Sequence, residues 1–188
     1  MCTTANVNEY SFIADAMLGK IARKLRMFGY DTVYEANAKD DYFIFPEVHT
    51  NRIILTSDRE LFNRCRKKSF SIILLNKKTE FENLVTIFLS LKVKYIDPNL
   101  SFSRCTICNG LLGVVDNDNI FFDANHKLPK LNNIKEFYKC RICKKIYWKG
   151  SHVNNMLDLI KKINIELSSQ KKYWDNSFHV NYLFLFPK

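Results

Sequence analysis

The sequence predicts an α/β domain whose parallel sheet is sandwiched by helices, followed by a small four-cysteine module. Three observations carry that expectation. Short apolar runs alternate with amphipathic stretches through the first half of the chain, an aspartate stands just beyond each of several such runs, and two C-x-x-C pairs occupy the second half. Strands alternating with helices at this spacing form βαβ units, whose right-handed crossovers bring all strand-to-helix junctions to one edge of the sheet.

Taken in order, residues 1–9 are polar and aperiodic, and Tyr10–Ala14 is short and apolar enough to be a buried strand. Asp15 ends that run. The next stretch, Ala16–Phe28, has helical period, with Ile21, Leu25 and Phe28 on one face and Lys20, Arg23 and Lys24 on another. Gly29 stops it, and Asp31–Tyr34 forms a second strand. A polar loop leads to the apolar segment 42–48, which holds a short helix whose start or course is shifted by Pro46. Arg52–Thr56 is apolar almost throughout and therefore buried on both faces, followed by Ser57, Asp58 and a helix from about 59 to 67. A fourth strand, 70–75, and a helix over 80–91 complete the domain. The expected strand order is 2-1-3-4, because Asp15 and Asp58 can share an ion only if the first and third strands are neighbours.

Composition changes at Asp97-Pro98-Asn99. The divisions are residues 1–96 as the α/β domain, 97–153 as the cysteine module, and 154–188 as a C-terminal helix, with Met156, Leu157, Ile160 and Ile163 on its apolar face, plus an apolar tail. That tail ends in Tyr182-Leu183-Phe184-Leu185-Phe186, which suits an edge strand or the cover of an apolar patch.

Lys and Arg number 29 against 19 Asp and Glu, a formal net charge of +10, which favours a polyanionic partner such as nucleic acid. A basic coat on a soluble protein is the competing explanation. No apolar run approaches the roughly 20 residues that span a bilayer, and no secretory leader is evident, so a soluble, intracellular and most simply cytoplasmic protein is expected.

Asp15, Asp40 and Asp58 each precede a predicted helix and are suited to cap it. Their joint placement after the first three strands also converges them, with Asp41, on one sheet edge. Gathered carboxylates repel unless cations lie between them, and Mg²⁺ or Mn²⁺ is the natural occupant. Lys20, Arg23 and Arg59 flank this edge and suit a phosphate backbone.

Cys105, Cys108, Cys140 and Cys143 form the two C-x-x-C pairs expected of a tetrahedral, structural Zn²⁺ site. Lys144, Trp148 and Lys149 crowd the second pair and suit RNA phosphates and bases, whereas Tyr147 suits the module's own small core. His126 is a spare zinc donor beside four thiolates.

These residues resemble a known family. Phe12 to Lys20, Leu25-Arg26, Gly29-Tyr30-Asp31 and Ile54 to Arg59 are similar to the Mut-seven C-terminal ribonuclease family, a PIN-like nuclease domain joined to a zinc ribbon. Phe102 to Gly110 and Cys140 to His152 agree with its second half. The resemblance covers about residues 11–155 and implies a Mg²⁺- or Mn²⁺-dependent ribonuclease. It implies catalytic roles for Asp15, Asp58 and a second acid that is Asp40 or, equally, Asp41. It also implies zinc ligation by Cys105, Cys108, Cys140 and Cys143, and places His152 in the family's Gly-Ser-His run.

The expected function is therefore endoribonucleolytic cleavage at an aspartate cluster, with the ribbon assisting RNA binding. The alternatives are an RNA-binding or ribosome-associated subunit without catalysis and, more weakly, a scaffold held to a protein partner through the tail.

Overall fold

Successive strand residues point into two different apolar layers, and this alternation sets the architecture of the computed structural model. The structure describes residues 9–38, 42–43, 51–75, 79–115 and 136–170. Strands β1 (Ser11–Ala14), β2 (Asp31–Tyr34), β3 (Ile53–Thr56) and β4 (Ile72–Leu74) form a parallel sheet of order β2-β1-β3-β4, as the acids' placement requires. Phe12, Ala14, Ile53, Leu55 and Ile73 face a cluster shared with helices α1 (Gly19–Met27) and α3 (Glu80–Ser90). Ile13, Ile54, Ile72 and Leu74 face the opposite layer under α2 (Arg59–Lys67). With helices on both sides, β3 is buried at all four positions, which is why its sequence shows no polar alternation.

The chain leaves β1 through α1 toward β2 in one direction, and leaves β3 through α2 toward β4 in the other. Right-handed crossovers running in opposite directions place α1 and α2 on opposite faces. They also create a switch point between β1 and β3, the position where open α/β sheets hold ligands.

The helix expected over 16–28 divides in two. A 3₁₀ turn over Ala16–Leu18 leads into α1, because the Asp15 side chain accepts the Met17 N–H at 2.8 Å and the Leu18 N–H bonds the Asp15 carbonyl. At the far end Gly29 takes φ 97°, which lets its N–H and that of Tyr30 return to the Arg26 and Leu25 carbonyls. The fourth strand is shorter than expected, since the Phe70 N–H still closes α2 on Cys65. Of segment 42–48, only Tyr42 and Phe43 are described; Pro46 and the acids Asp40 and Asp41 lie outside the described residues.

Thr79 and Glu82 form a reciprocal capping box at the start of α3. Helix α4 (Ser151–Ser169) buries Met156, Ile160, Ile163 and Leu167 against α3 and joins the α1 and α3 cluster. The Asn164 side-chain amide exchanges two hydrogen bonds with the Ile96 backbone, at 2.8 and 3.0 Å, and so ties the segment after α3 to α4.

Between them lies an antiparallel three-stranded ribbon, β5 (Leu112–Val115), β6 (Phe137–Cys140) and β7 (Ile146–Trp148), in order β5-β6-β7. Its buried apolar core consists of Phe137 and Ile146, with Val115 and Trp148 partly buried beside them. That is too little apolar surface to hold three strands unaided. The tail 171–188 and His126 lie outside the described residues. No helix of the described residues is long and apolar enough to cross a membrane.

Tyr30 is fully buried between Phe12 and Phe88, yet its hydroxyl has no hydrogen-bond partner among the described residues, and burial raises its pKa. A buried unpaired hydroxyl costs free energy. Tyr30→Phe should therefore be neutral to stabilising, by up to about 1 kcal/mol, in equilibrium urea unfolding; a clear loss of stability would show that the hydroxyl is satisfied after all.

Candidate functional site

The register of β1 against β3, with Ala14 opposite Leu55, sets Asp15 beside Thr56 at the switch point. Asp15 is 5% exposed and its carboxylate takes three hydrogen bonds. Oδ1 accepts from the Met17 N–H, while Oδ2 accepts from the Thr56 hydroxyl at 2.6 Å and the Ser57 N–H at 2.9 Å. Thr56 Oγ1 in turn accepts the Asp58 N–H at 3.0 Å, so one hydroxyl links the two acids. Asp58 caps α2 through Oδ1, which accepts from the Glu60 and Leu61 N–H groups, and its Oδ2 accepts no hydrogen bond from the described residues. Both aspartates are thus caps, as the sequence permits, and Asp15 is also anchored across the sheet.

A carboxylate offers about four lone-pair sites, so Asp15 retains about one and Asp58 its whole Oδ2. Oxygen donors of this kind fit a hard divalent cation. Among the described residues these two acids are joined by no third carboxylate near enough to complete a metal cluster. Lys20 and Lys24 pair with Glu80 of α3, at 3.6 and 3.1 Å, while Arg23 and Arg59 are exposed.

The four cysteines are brought together. Their sulfurs all lie within 4.8 Å of one another, with Cys105 to Cys143 at 3.5 Å and Cys108 to Cys140 at 3.4 Å. A zinc tetrathiolate with bonds of about 2.3 Å has sulfur edges of about 3.8 Å, so the set fits zinc. Each C-x-x-C pair is shaped by the same turn. Asn109 and Lys144, one residue beyond each pair, adopt φ 65° and 63°, and their N–H groups bond the carbonyls of Cys105 and Cys140. Burial resists ionisation of Cys105, but hydrogen bonds from the Tyr147 hydroxyl and the Cys108 and Ile107 backbone lower its pKa to about 6. Desolvation and the neighbouring thiols push Cys143 up to about 12. Four adjacent thiols cannot all ionise together without a cation, and a divalent metal removes that conflict.

One knuckle docks on the α/β domain through residues the sequence reading did not assign. Arg26, on the otherwise apolar face of α1, donates to the carbonyls of Thr32, Thr106 and Ile107 at 2.9 to 3.0 Å. Asn109 donates to Asp31 Oδ1 at 2.6 Å and accepts the Thr32 N–H, while Asp31 holds Arg52 through two bonds at 2.9 and 3.0 Å. The Tyr147 hydroxyl sits 3.0 Å from Cys105 Sγ and accepts the Thr106 N–H, so it supports a ligand rather than only filling the ribbon core. Lys144 places its ammonium on the Arg141 carbonyl. Trp148, Lys149 and His152 line one cavity with Arg23 of α1.

A strand-edge acid pair in a small α/β domain, with a four-cysteine ribbon clamped to the same first helix, defines the class. The family model of the Mut7-C RNAse domain matches residues 10–160, and the chain belongs to that family. Membership places it among ribonuclease domains and points to a nuclease- or RNA-related function. Neither the curated proteins nor the solved structures contain a match to this chain.

Metal analysis of the purified chain should give about one zinc per molecule, and Cys140→Ser should unfold the ribbon while leaving the sheet intact. A proteolysis pattern unchanged by chelation would deny the metal a structural role.

Burial opposes ionisation of Asp31, but hydrogen bonds from Arg52 and Asn109 outweigh it and depress its pKa. A depressed carboxyl adds stability that is present above its unfolded value near 3.9 and is lost as pH falls through the folded value. Protection of the Thr32 amide, its exchange rate relative to the intrinsic rate at each pH, should therefore fall below about pH 4. Asp31→Asn should remove that pH step without changing zinc content at neutral pH; a step that survives it belongs to another group.

Proposed function

We propose that the protein is a metal-dependent endoribonuclease that hydrolyses RNA phosphodiesters at the β1–β3 switch point. The observation that carries this reading is the Asp15–Thr56–Asp58 link in a chain of ribonuclease family membership. A Mg²⁺ or Mn²⁺ ion bound there would neutralise charge at the attacked phosphate and lower the pKa of a water. Asp15 would hold it from a fixed, buried position, and Asp58 from the rim through Oδ2. Asp40 or Asp41 would supply a further oxygen. Lys20, Arg23 and Arg59 would hold phosphates beside the acids, and Lys144, Trp148, Lys149 and His152 would extend the contact onto the ribbon. Four thiols kept reduced for zinc accord with an intracellular, cytoplasmic setting.

A second reading, RNA binding without cleavage, draws support from the capping bonds that already occupy both acids. Asn caps a helix about as well as Asp, so Asp58→Asn should leave stability within about 0.5 kcal/mol of wild type. It should nonetheless cut Mn²⁺-dependent RNA cleavage about a hundredfold or more, with RNA affinity unchanged or slightly higher. Asp15→Asn should lose activity as well as about 1–3 kcal/mol, because an amide nitrogen would face the donors that now serve the carboxylate. Wild-type protein that binds RNA but cleaves none with either ion would give way to the binding reading.

A further inference from the structure

A cavity of about 490 Å³ lies between α1, the ribbon and the first turns of α4. Its apolar lining includes Met27, Ile146, Val153 and Met156, and the aromatic rings of Tyr138, Tyr147 and Trp148 open onto it. Arg23, Arg104, Lys145 and Lys149 also line it, and none of the described lining residues is acidic. Among the described residues Lys149 pairs with the Glu136 carboxylate, at 3.9 Å with both side chains half exposed, an ion pair that competes weakly with a phosphate. Lys145 lies over the Tyr147 ring, 5.8 Å from its centre. Gly150 places its backbone against the edge of the Trp148 indole, where an added Cβ would stand 3.1 Å from the ring nitrogen. The ring is therefore held by its own turn.

Apolar depth, aromatic faces and a cationic lining whose one ion pair among the described residues is long and half exposed together select a flat aromatic ligand that carries negative charge. An apolar peptide would use the depth and bring no negative charge to the cationic lining; a bare phosphate would use the cations and leave the depth. We propose that this cavity receives one nucleobase of a single RNA strand, stacked on Trp148, with the adjoining phosphates on Arg23 and Lys149. This rests on the nuclease reading only for the course of the strand. Arg23 and Met27 lie on consecutive turns of α1, whose first residue follows the turn capped by Asp15. The pocket thus borders α1 from Arg23, about 6 Å along the helix from its first residue, to Met27 at its last turn, about 12 Å along, with the acids beyond the first residue and Arg23 between the two sites. A base held in the pocket fixes which phosphate reaches the acids.

Trp148 and Trp174 are the two tryptophans, so Trp174→Phe leaves Trp148 as the sole indole reporter. In that background, with Asp58→Asn to prevent cleavage, oligoadenylate and oligouridylate should quench the fluorescence saturably. They should bind about tenfold more tightly than an abasic oligonucleotide of equal length. Val153→Phe, which fills the cavity and leaves Trp148 in place, should abolish the quenching and most of that tenfold preference at unchanged zinc content. Equal affinity for abasic and base-bearing strands, absence of quenching, or indifference to Val153→Phe would each overturn the pocket. A mononucleotide bound as tightly as the oligonucleotide would overturn its assignment to an RNA strand. Because the readout is binding, base-dependent quenching without wild-type cleavage would sustain the pocket and remove the nuclease reading. Cleavage with base-independent binding would do the reverse.

Discussion

Arg26 is 4% exposed, and a guanidinium taken that far from water must find acceptors and counter-charge inside the protein. It finds three carbonyls, one at the start of β2 and two inside the first cysteine knuckle. Burial lowers its pKa, while Cys105, Cys108 and Asp31 act in the opposite sense. A zinc tetrathiolate remains net negative, so a buried cation beneath it is balanced rather than stranded. The dependence runs both ways. Without the knuckle, Arg26 would be a buried charge with lost acceptors. Without Arg26, the carbonyls of Thr106 and Ile107 would lose their donor at the point where the ribbon meets the sheet.

That contact explains why so small a ribbon has a fixed place. Arg104 repeats the pattern from the other side: its N–H bonds the Arg26 carbonyl, and its guanidinium reaches the carbonyls of Gly29 and Asn109. The Ser103 hydroxyl adds a bond to the Met27 carbonyl. The last turn of α1 has carbonyls without intrahelical partners, and the incoming linker supplies donors for them. The terminus of one module is therefore completed by the other. The covering of the sheet shows the same economy, since α4 follows the ribbon by only two residues yet packs on α3.

Much of this was legible in the residues. The four strands, their order and the strand-to-helix junctions follow from apolar runs and from the requirement that Asp15 and Asp58 be neighbours. The zinc set follows from spacing alone, because two C-x-x-C pairs have few other uses in a reducing compartment. What was not legible is long-range and polar. Arg26 looks like one more cation on a basic helix until its position beside Ile21, Ala22 and Leu25 is set against a partner 80 residues away. Asn109 looks like a turn residue, and is one, but its amide also bridges Asp31 and Thr32. Periodicity assigns faces; it does not say which backbone will dock there. Thr56 looks only like the end of a strand, although its hydroxyl is what joins the acids.

The two aspartates show how one residue type divides between structure and chemistry at a single edge. Asp15 is buried and receives three donors, so its position is over-determined and its substitution must disturb the fold. Asp58 uses one oxygen to cap α2 and, among the described residues, keeps the other clear of hydrogen bonds, so its chemistry can change while its cap persists. Thr56 passes the position of the first to the second through a single oxygen that both donates and accepts. A rigid inner acid and a half-committed outer one are what a site needs to hold a charge in register with the sheet while leaving room for substrate. Helix α1 extends that register outward, because the turn that fixes Asp15 at its start and the guanidinium that clamps the ribbon at its end belong to one continuous element. On the proposed reading, a strand laid along it would meet the acids and the ribbon at a spacing the helix itself determines.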